Sequence, residues 1–184
     1  VRFQSLRLAR CALVVAFCVV SSLFSRYAQG VVPFSVLPFV VVLSGWLLRP
    51  QEAFWSLSAY VLLGLLGLPV FASPPFGGPT YLFKPTFGFL LGFVLGAFLI
   101  SALKDKKLFR KSILGVIFLS ELGMLIIYLP GLFYLWLAFS LFMGKPIGFN
   151  QVLQIGFYPF LGFDVVKAFL AGMLFWKTKD RIAA

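Results

Sequence analysis

Six stretches of the chain, residues 8–24, 31–48, 53–70, 86–103, 112–128 and 157–175, are almost wholly apolar, and loops or short polar breaks separate them. Each approaches the roughly 20 residues that an α-helix needs to cross the hydrocarbon of a bilayer. A backbone in hydrocarbon must satisfy its own N–H and C=O groups, which leaves helices or a closed barrel. The runs lack the period-two alternation of barrel strands, so helices are expected. With 61% hydrophobic and 11% charged residues, a chain of 184 residues carries more apolar surface than a soluble core could hide. The expectation is an all-α polytopic membrane protein, a single domain over residues 1–184 with six transmembrane helices in one compact bundle.

The sixteen Lys and Arg residues outnumber five acids, giving a net charge of +11. A basic chain invites a nucleic-acid reading, but here the charges lie in the breaks between apolar runs. Assigned alternately to the two sides of a membrane, twelve fall on one side and Arg26, Lys84 and Lys145 on the other, with Lys167 between. An excess of Lys and Arg marks the cytoplasmic face. A multi-pass cell-membrane protein with both termini cytoplasmic follows, and no nucleic-acid partner. Arg2, Arg7 and Arg10 ahead of a short apolar centre also fit a secretory signal peptide. A retained first helix is expected instead, because it gives six spans with basic ends on one side.

Cys11 and Cys18 lie along one face of the first run, about 10 Å apart at 1.5 Å rise per residue, too far for a disulfide. Histidine is absent and no carboxylates cluster, so no metal site is expected. Pro33 and Pro38 predict an irregular entry to the second span. Residues 71–85 hold Pro74, Pro75, Gly77, Gly78 and Pro79 among Phe76, Tyr81 and Phe83, and read as a surface turn or as an outer lid loop over a ligand, between helices 3 and 4. Gly88, Gly92 and Gly96, at four-residue intervals, predict close approach of another helix. Glu121 is open to two roles, bonding a neighbouring helix or facing a pocket. Pro130-Gly131 predicts the end of the fifth helix, with residues 132–143 lying at the outer surface, and Tyr158-Pro159 predicts a bend in the sixth.

The last run carries Asp164 and Lys167, three residues apart and so on one helical face. A charge at membrane depth costs from about 2.5 to more than 10 kcal/mol, so such groups face one another, a cavity or a ligand. Two roles stand open, a self-neutralising structural pair and the polar end of a ligand pocket. The chain has no histidine base, no GxSxG elbow and no P-loop, and no enzymatic constellation or nucleotide site is expected. A small membrane enzyme acting on lipid intermediates would have to use Asp164, Lys167 and Glu121 as acid and base.

Several segments taken together resemble one family: YVLLGLLGLPVFA at residues 60–72, Gly77-Gly78, KPTFGFLLGF at residues 84–93, PFLGFDVVKA at residues 159–168, and VPFS at residues 32–35. They are similar to the BioY family, the biotin-binding S components of energy-coupling-factor (ECF) vitamin transporters. The resemblance implies a six-helix protein that captures biotin from outside and needs no cofactor. It also implies docking onto a membrane-embedded coupling protein driven by ABC ATPases. By that resemblance Asp164 and Lys167 pair with biotin, and Tyr60, Phe71, Ser73, Gly77, Gly78, Lys84 and Thr86 are candidate binding residues, with Lys84 meeting either the ligand carboxylate or lipid headgroups. Ala12 and Ala16 form the small-residue AxxxA expected to meet the coupling protein. Leu37 departs from the family, which usually has Gln after its VPFT segment. An S component for another vitamin, such as riboflavin or thiamine, is the neighbouring alternative.

Overall fold

The apolar runs fold as helices in the computed structural model, which describes residues 2–28 and 35–182. In chain order these are α1 (Arg2–Ala28), α2 (Leu37–Leu47), α3 (Pro50–Leu65), α4 (Phe87–Leu103), the single turn α5 (Lys107–Arg110), α6 (Ile113–Leu141), α7 (Phe149–Gly156) and α8 (Tyr158–Ile182). A 3-10 turn, Pro79–Phe83, interrupts the loop between α3 and α4. Among the described residues there is no strand. Val32, Pro33 and Phe34 of the VPFS segment lie outside the described residues.

Three helical stretches are long and apolar enough to cross a membrane by themselves: Gln4–Tyr27, Ile113–Leu141 and Tyr158–Lys179. α2 and α4 are apolar but shorter. Local chemistry trims the other runs. Pro38 stands in the first turn of α2, where its missing N–H costs nothing. α3 starts on Pro50, with Glu52 reaching back to accept from the Arg49 N–H at 3.1 Å. It stops ahead of Gly67, whose φ of 104° no ordinary side chain adopts readily.

Two sequence expectations about the outer half are settled differently. The fifth helix does not end at Pro130-Gly131. α6 runs through them to Leu141, so residues 132–143 are mostly its last turns and not a separate surface segment. Proline inside a helix removes one backbone bond, but here the packing on α4 holds the helix together. A Cβ on Gly88 would lie 2.4 Å from the Pro130 carbonyl oxygen, and one on Gly131 would enter the Phe89 ring. The expected bend of the sixth helix is present as a break at Phe157, which separates α7 from α8 and leaves Pro159 in the first turn of α8.

The glycine row does what its spacing predicts. A Cβ at Gly92 would come 2.3 Å from the Ile127 carbonyl oxygen, and one at Gly96 would come 2.8 Å from that of Gly123. α4 and α6 therefore touch backbone to backbone. Deeper in the bundle the Trp46 ring stacks on Phe175 at 4.4 Å, and its indole N–H donates to Ser120 Oγ at 2.9 Å, joining α2, α8 and α6. Lys104 donates to the Trp46 carbonyl at 2.9 Å, and both Lys104 and Ser101 donate to that of Leu48, so the open C-terminal end of α2 is capped from α4.

Replacing Gly92 with Val should destabilise the protein by about 1–3 kcal/mol, because the clash is with backbone and cannot be relieved by a rotamer. Gly162→Ala, where nothing lies within 4 Å of the new atom, should leave the thermal midpoint in detergent unchanged or slightly raised. Equal midpoints for both variants would contradict the packing described.

Candidate functional site

The helices leave between them a cavity of about 800 Å³. Its polar end is built on α8. Asp164 and Lys167, each 7% exposed, face inward, and the Lys167 ammonium lies 2.7 Å from Asp164 Oδ1. The other carboxylate oxygen accepts from the Tyr128 hydroxyl of α6. Tyr128 is held in turn by edge-on contacts with Phe89 at 5.9 Å and Phe157 at 4.9 Å. The two neutralise each other, and both line the cavity. Phe93, Met124 and Ile127 make apolar wall.

Of the residues expected at the site, Tyr60, Ser73, Thr86, Asp164 and Lys167 line the cavity. Tyr60 is fully buried, its hydroxyl 2.7 Å from Ser22 Oγ and 3.3 Å from the Val70 carbonyl. Lys84 borders the cavity through Ser73, with its ammonium donating to Ser73 Oγ at 3.0 Å. That hydroxyl also shares a 3.0 Å hydrogen bond with Tyr81. Desolvation by the loop pushes the Lys84 pKa below its ordinary value.

Phe71, Gly77 and Gly78 are not on the wall; they shape the loop that is. Phe71 is fully buried, tilted on Tyr81 at 4.3 Å and edge-on to Tyr60 at 5.8 Å. Gly77 lets the loop close on α3, since a Cβ there would sit 2.2 Å from the Leu68 carbonyl oxygen. Gly78, at φ 94°, donates its N–H to the Gly64 carbonyl at 2.7 Å. A residue that spacing did not flag completes this support. Arg26, near the end of α1, donates from Nε at 3.0 Å and Nη2 at 2.9 Å to the Phe71 carbonyl, and also to that of Pro69. Its guanidinium lies 4.3 Å from the Phe76 ring centroid.

Glu121 does not reach the main cavity. It lies with Ile117, Leu125, Val165, Val166 and Phe169 in a separate apolar crevice between α6 and α8. The three acid and base groups that a lipid enzyme would need are therefore not assembled at one place. Ala12 and Ala16 lie on an exposed face of α1, beside exposed Leu13, Phe17 and Val20. Leu37, the departure from the family pattern, does line the cavity. Sequence reasoning missed Tyr128 and Tyr81. For Tyr128 the available signal was that a tyrosine in an apolar run must find a partner for its hydroxyl when buried. Among the described residues no group of His, Cys, Asp or Glu is placed to hold a metal ion.

An all-helical membrane protein with a small-molecule cavity closed at one end by a buried acid, base and phenol is the class that fold and site define. The sequence pattern of the BioY family matches residues 1–184, and the chain belongs to that family. It is 37% identical over 150 residues to "Biotin transporter BioY" of Thermotoga maritima, covering 82% of each chain. It is 33% identical over 159 residues to "Probable biotin transporter BioY" of Pyrococcus horikoshii, covering 85% of this chain and 88% of that one. Its fold is similar to that of a solved S-component for biotin from an ECF-type ABC transporter, with a TM-score of 0.76 at 20% identity over 97% of this chain and 93% of the other.

Removing the Arg26 side chain should release the loop while leaving the bundle folded. In Arg26→Ala the backbone amides of residues 68–78 should exchange with solvent about tenfold faster or more, the scale of a lost charge-assisted hydrogen bond. Unchanged exchange in that segment, measured by mass spectrometry, would show that the clamp is idle.

Proposed function

We propose that this chain is the substrate-binding membrane component of a biotin uptake system. The observation that carries the reading is the buried Asp164, Lys167 and Tyr128 cluster at one end of an otherwise largely apolar cavity, in a chain whose relatives are biotin transporters. The volume falls within the roughly 300–1,000 Å³ range of small-molecule sites. The biotin head is a cyclic urea, in which a carbonyl acceptor and an N–H donor lie side by side. Asp164 accepts that N–H, and Lys167 donates to the carbonyl. The 2.7 Å pair therefore offers an acceptor and a donor side by side, as this edge requires. The bicyclic apolar body lies against the aromatic wall.

α1, α2, α3, α4, α6 and α8 are the six crossings, with both termini cytoplasmic. The loop over residues 71–85 is the lid that closes the cavity after biotin enters from outside. The chain has no P-loop, so energy comes from partners, a membrane coupling protein with its ABC ATPases. Ala12 and Ala16 on the exposed face of α1 form the docking stripe, where small side chains allow close helix approach.

Asp164→Asn and Lys167→Gln should each lower biotin affinity at least tenfold, read by calorimetry on the purified protein. Full affinity in both variants would remove the polar end from the mechanism. Tight binding of riboflavin or thiamine by the unmodified chain in place of biotin would reassign the substrate. Ala12→Trp should keep biotin binding intact yet reduce uptake in cells that carry the coupling protein and ATPases. Unchanged uptake would move the docking surface elsewhere.

A further inference from the structure

The connection between α4 and α6 is the most basic stretch of the chain. Residues 104–111 carry Lys104, Lys106, Lys107, Arg110 and Lys111 against a single acid, Asp105. Asp105 is taken by Arg110 at 2.9 Å, and Lys104 turns back to cap the end of α2. Lys106, Lys107 and Lys111 remain exposed. They are not strung along a loose loop, because α5 is seated firmly on α6. Phe109 is buried with its ring nearly parallel to that of Phe118 at 6.3 Å, and a Cβ at Gly115 would lie 2.5 Å from the Leu108 carbonyl oxygen. The same seating leaves Leu108 turned outward, 74% exposed, in the middle of the basic turn. Leu114 and Phe118, one turn apart on one face of α6, are exposed as well. Fixed cations and outward apolar side chains therefore occur together at the start of a helix long and apolar enough to cross a membrane. Bulk water suits the lysines and leaves the apolar groups uncovered. A phospholipid matches both, with an anionic headgroup set over hydrocarbon.

We propose that the turn between α4 and α6 is a binding site for an anionic phospholipid, whose phosphate meets Lys106, Lys107 and Lys111 while an acyl chain descends along Leu108, Leu114 and Phe118. The site lies apart from the cavity and does not depend on which ligand fills it. Ammonium groups donate charge-assisted hydrogen bonds to phosphate oxygens, and basic segments at the membrane surface are drawn to anionic lipids. Because Phe109 and Gly115 already hold the turn in place, little further ordering of the backbone is needed when the lipid binds.

The test is native mass spectrometry of the full chain, released from detergent after mixing with equal amounts of phosphatidylglycerol and phosphatidylcholine that bear the same palmitoyl and oleoyl chains. The unmodified protein should retain the anionic lipid about tenfold more than the zwitterionic one. Combining Lys106→Gln, Lys107→Gln and Lys111→Gln should erase that preference. Removing the same number of charges elsewhere, with Arg10→Gln, Lys177→Gln and Lys179→Gln, should leave it in place. Leu108→Ser should weaken retention of the anionic lipid several-fold with every lysine present. Equal retention of the two lipids by the unmodified protein would overturn the proposal, and that comparison stands even if the triple lysine variant proves unstable. Equal loss in both triple variants would overturn it too, since the preference would then follow overall charge and not this turn. Displacement of the lipid by millimolar glycerol phosphate would reassign the turn to free anions. Unchanged retention in Leu108→Ser would reduce it to a charged patch of the kind an acidic protein surface meets, and the lipid assignment would fall.

Discussion

An ion pair withdrawn from water is the constraint around which this structure is arranged. Each buried ion forfeits several kcal/mol of hydration, and the attraction between partners offsets that only when the geometry is close and the remaining lone pairs are occupied. Asp164 has that close geometry and one donor on each oxygen, with the Lys167 ammonium at 2.7 Å on one and the Tyr128 hydroxyl on the other. The requirement propagates outward. Tyr128 must be delivered by α6 to a fixed point on α8, and α6 is in turn seated against α4 by Gly88, Gly92 and Gly96. A shift of α6 by the width of one methyl group would break the glycine contact, and the phenol would move with it.

The opposite end of the cavity is held by different means. The loop after α3 is fastened through its backbone: Arg26 takes the Phe71 and Pro69 carbonyls, Gly78 takes that of Gly64, and Gly77 makes room for that of Leu68. Phe71 fills the space beneath, and a Cβ at Gly64 would overlap its ring. Leu66, Leu68, Leu82 and Phe83 of the segment are exposed. The segment is thus held by polar backbone contacts to α1 and α3 and by the buried Val70, Phe71 and Tyr81. Its arrangement brings Ser73 and Tyr81 to the cavity. It also assigns different work to neighbouring residues of one signature, as Ser73 and Thr86 meet the cavity while Phe71, Gly77 and Gly78 shape the loop.

Where local chemistry decides the outcome, the chain was legible. The glycine interval specified a face that another backbone can approach, and the three-residue spacing of Asp164 and Lys167 specified a shared face on one helix. Composition and the placement of Lys and Arg specified a helical membrane protein. The segments at residues 60–72, 84–93 and 159–168 carried the family, which the match over residues 1–184 bears out. Where partners are distant in sequence, the reading failed. Pro130 looked like a helix end because proline disfavours the interior of an isolated helix. The contact that keeps α6 continuous comes from Gly88, on another element. Glu121 and Tyr128 sit two turns apart in the same apolar run, and nothing local tells which faces the cavity and which the outer crevice.

The chain by itself therefore determined what each segment is: its helical state, its lipid-compatible surface, and which of its faces carry small or charged groups. These follow from side-chain chemistry and a 3.6-residue period, neither of which needs a neighbour. Only the tertiary structure decided which faces meet. It put the Tyr128 hydroxyl on Asp164, the Arg26 guanidinium on the loop carbonyls and Lys84 on Ser73. Each of these bonds joins groups on separate elements, and their meeting depends on how the helices pack, a property of the whole bundle that no single stretch contains.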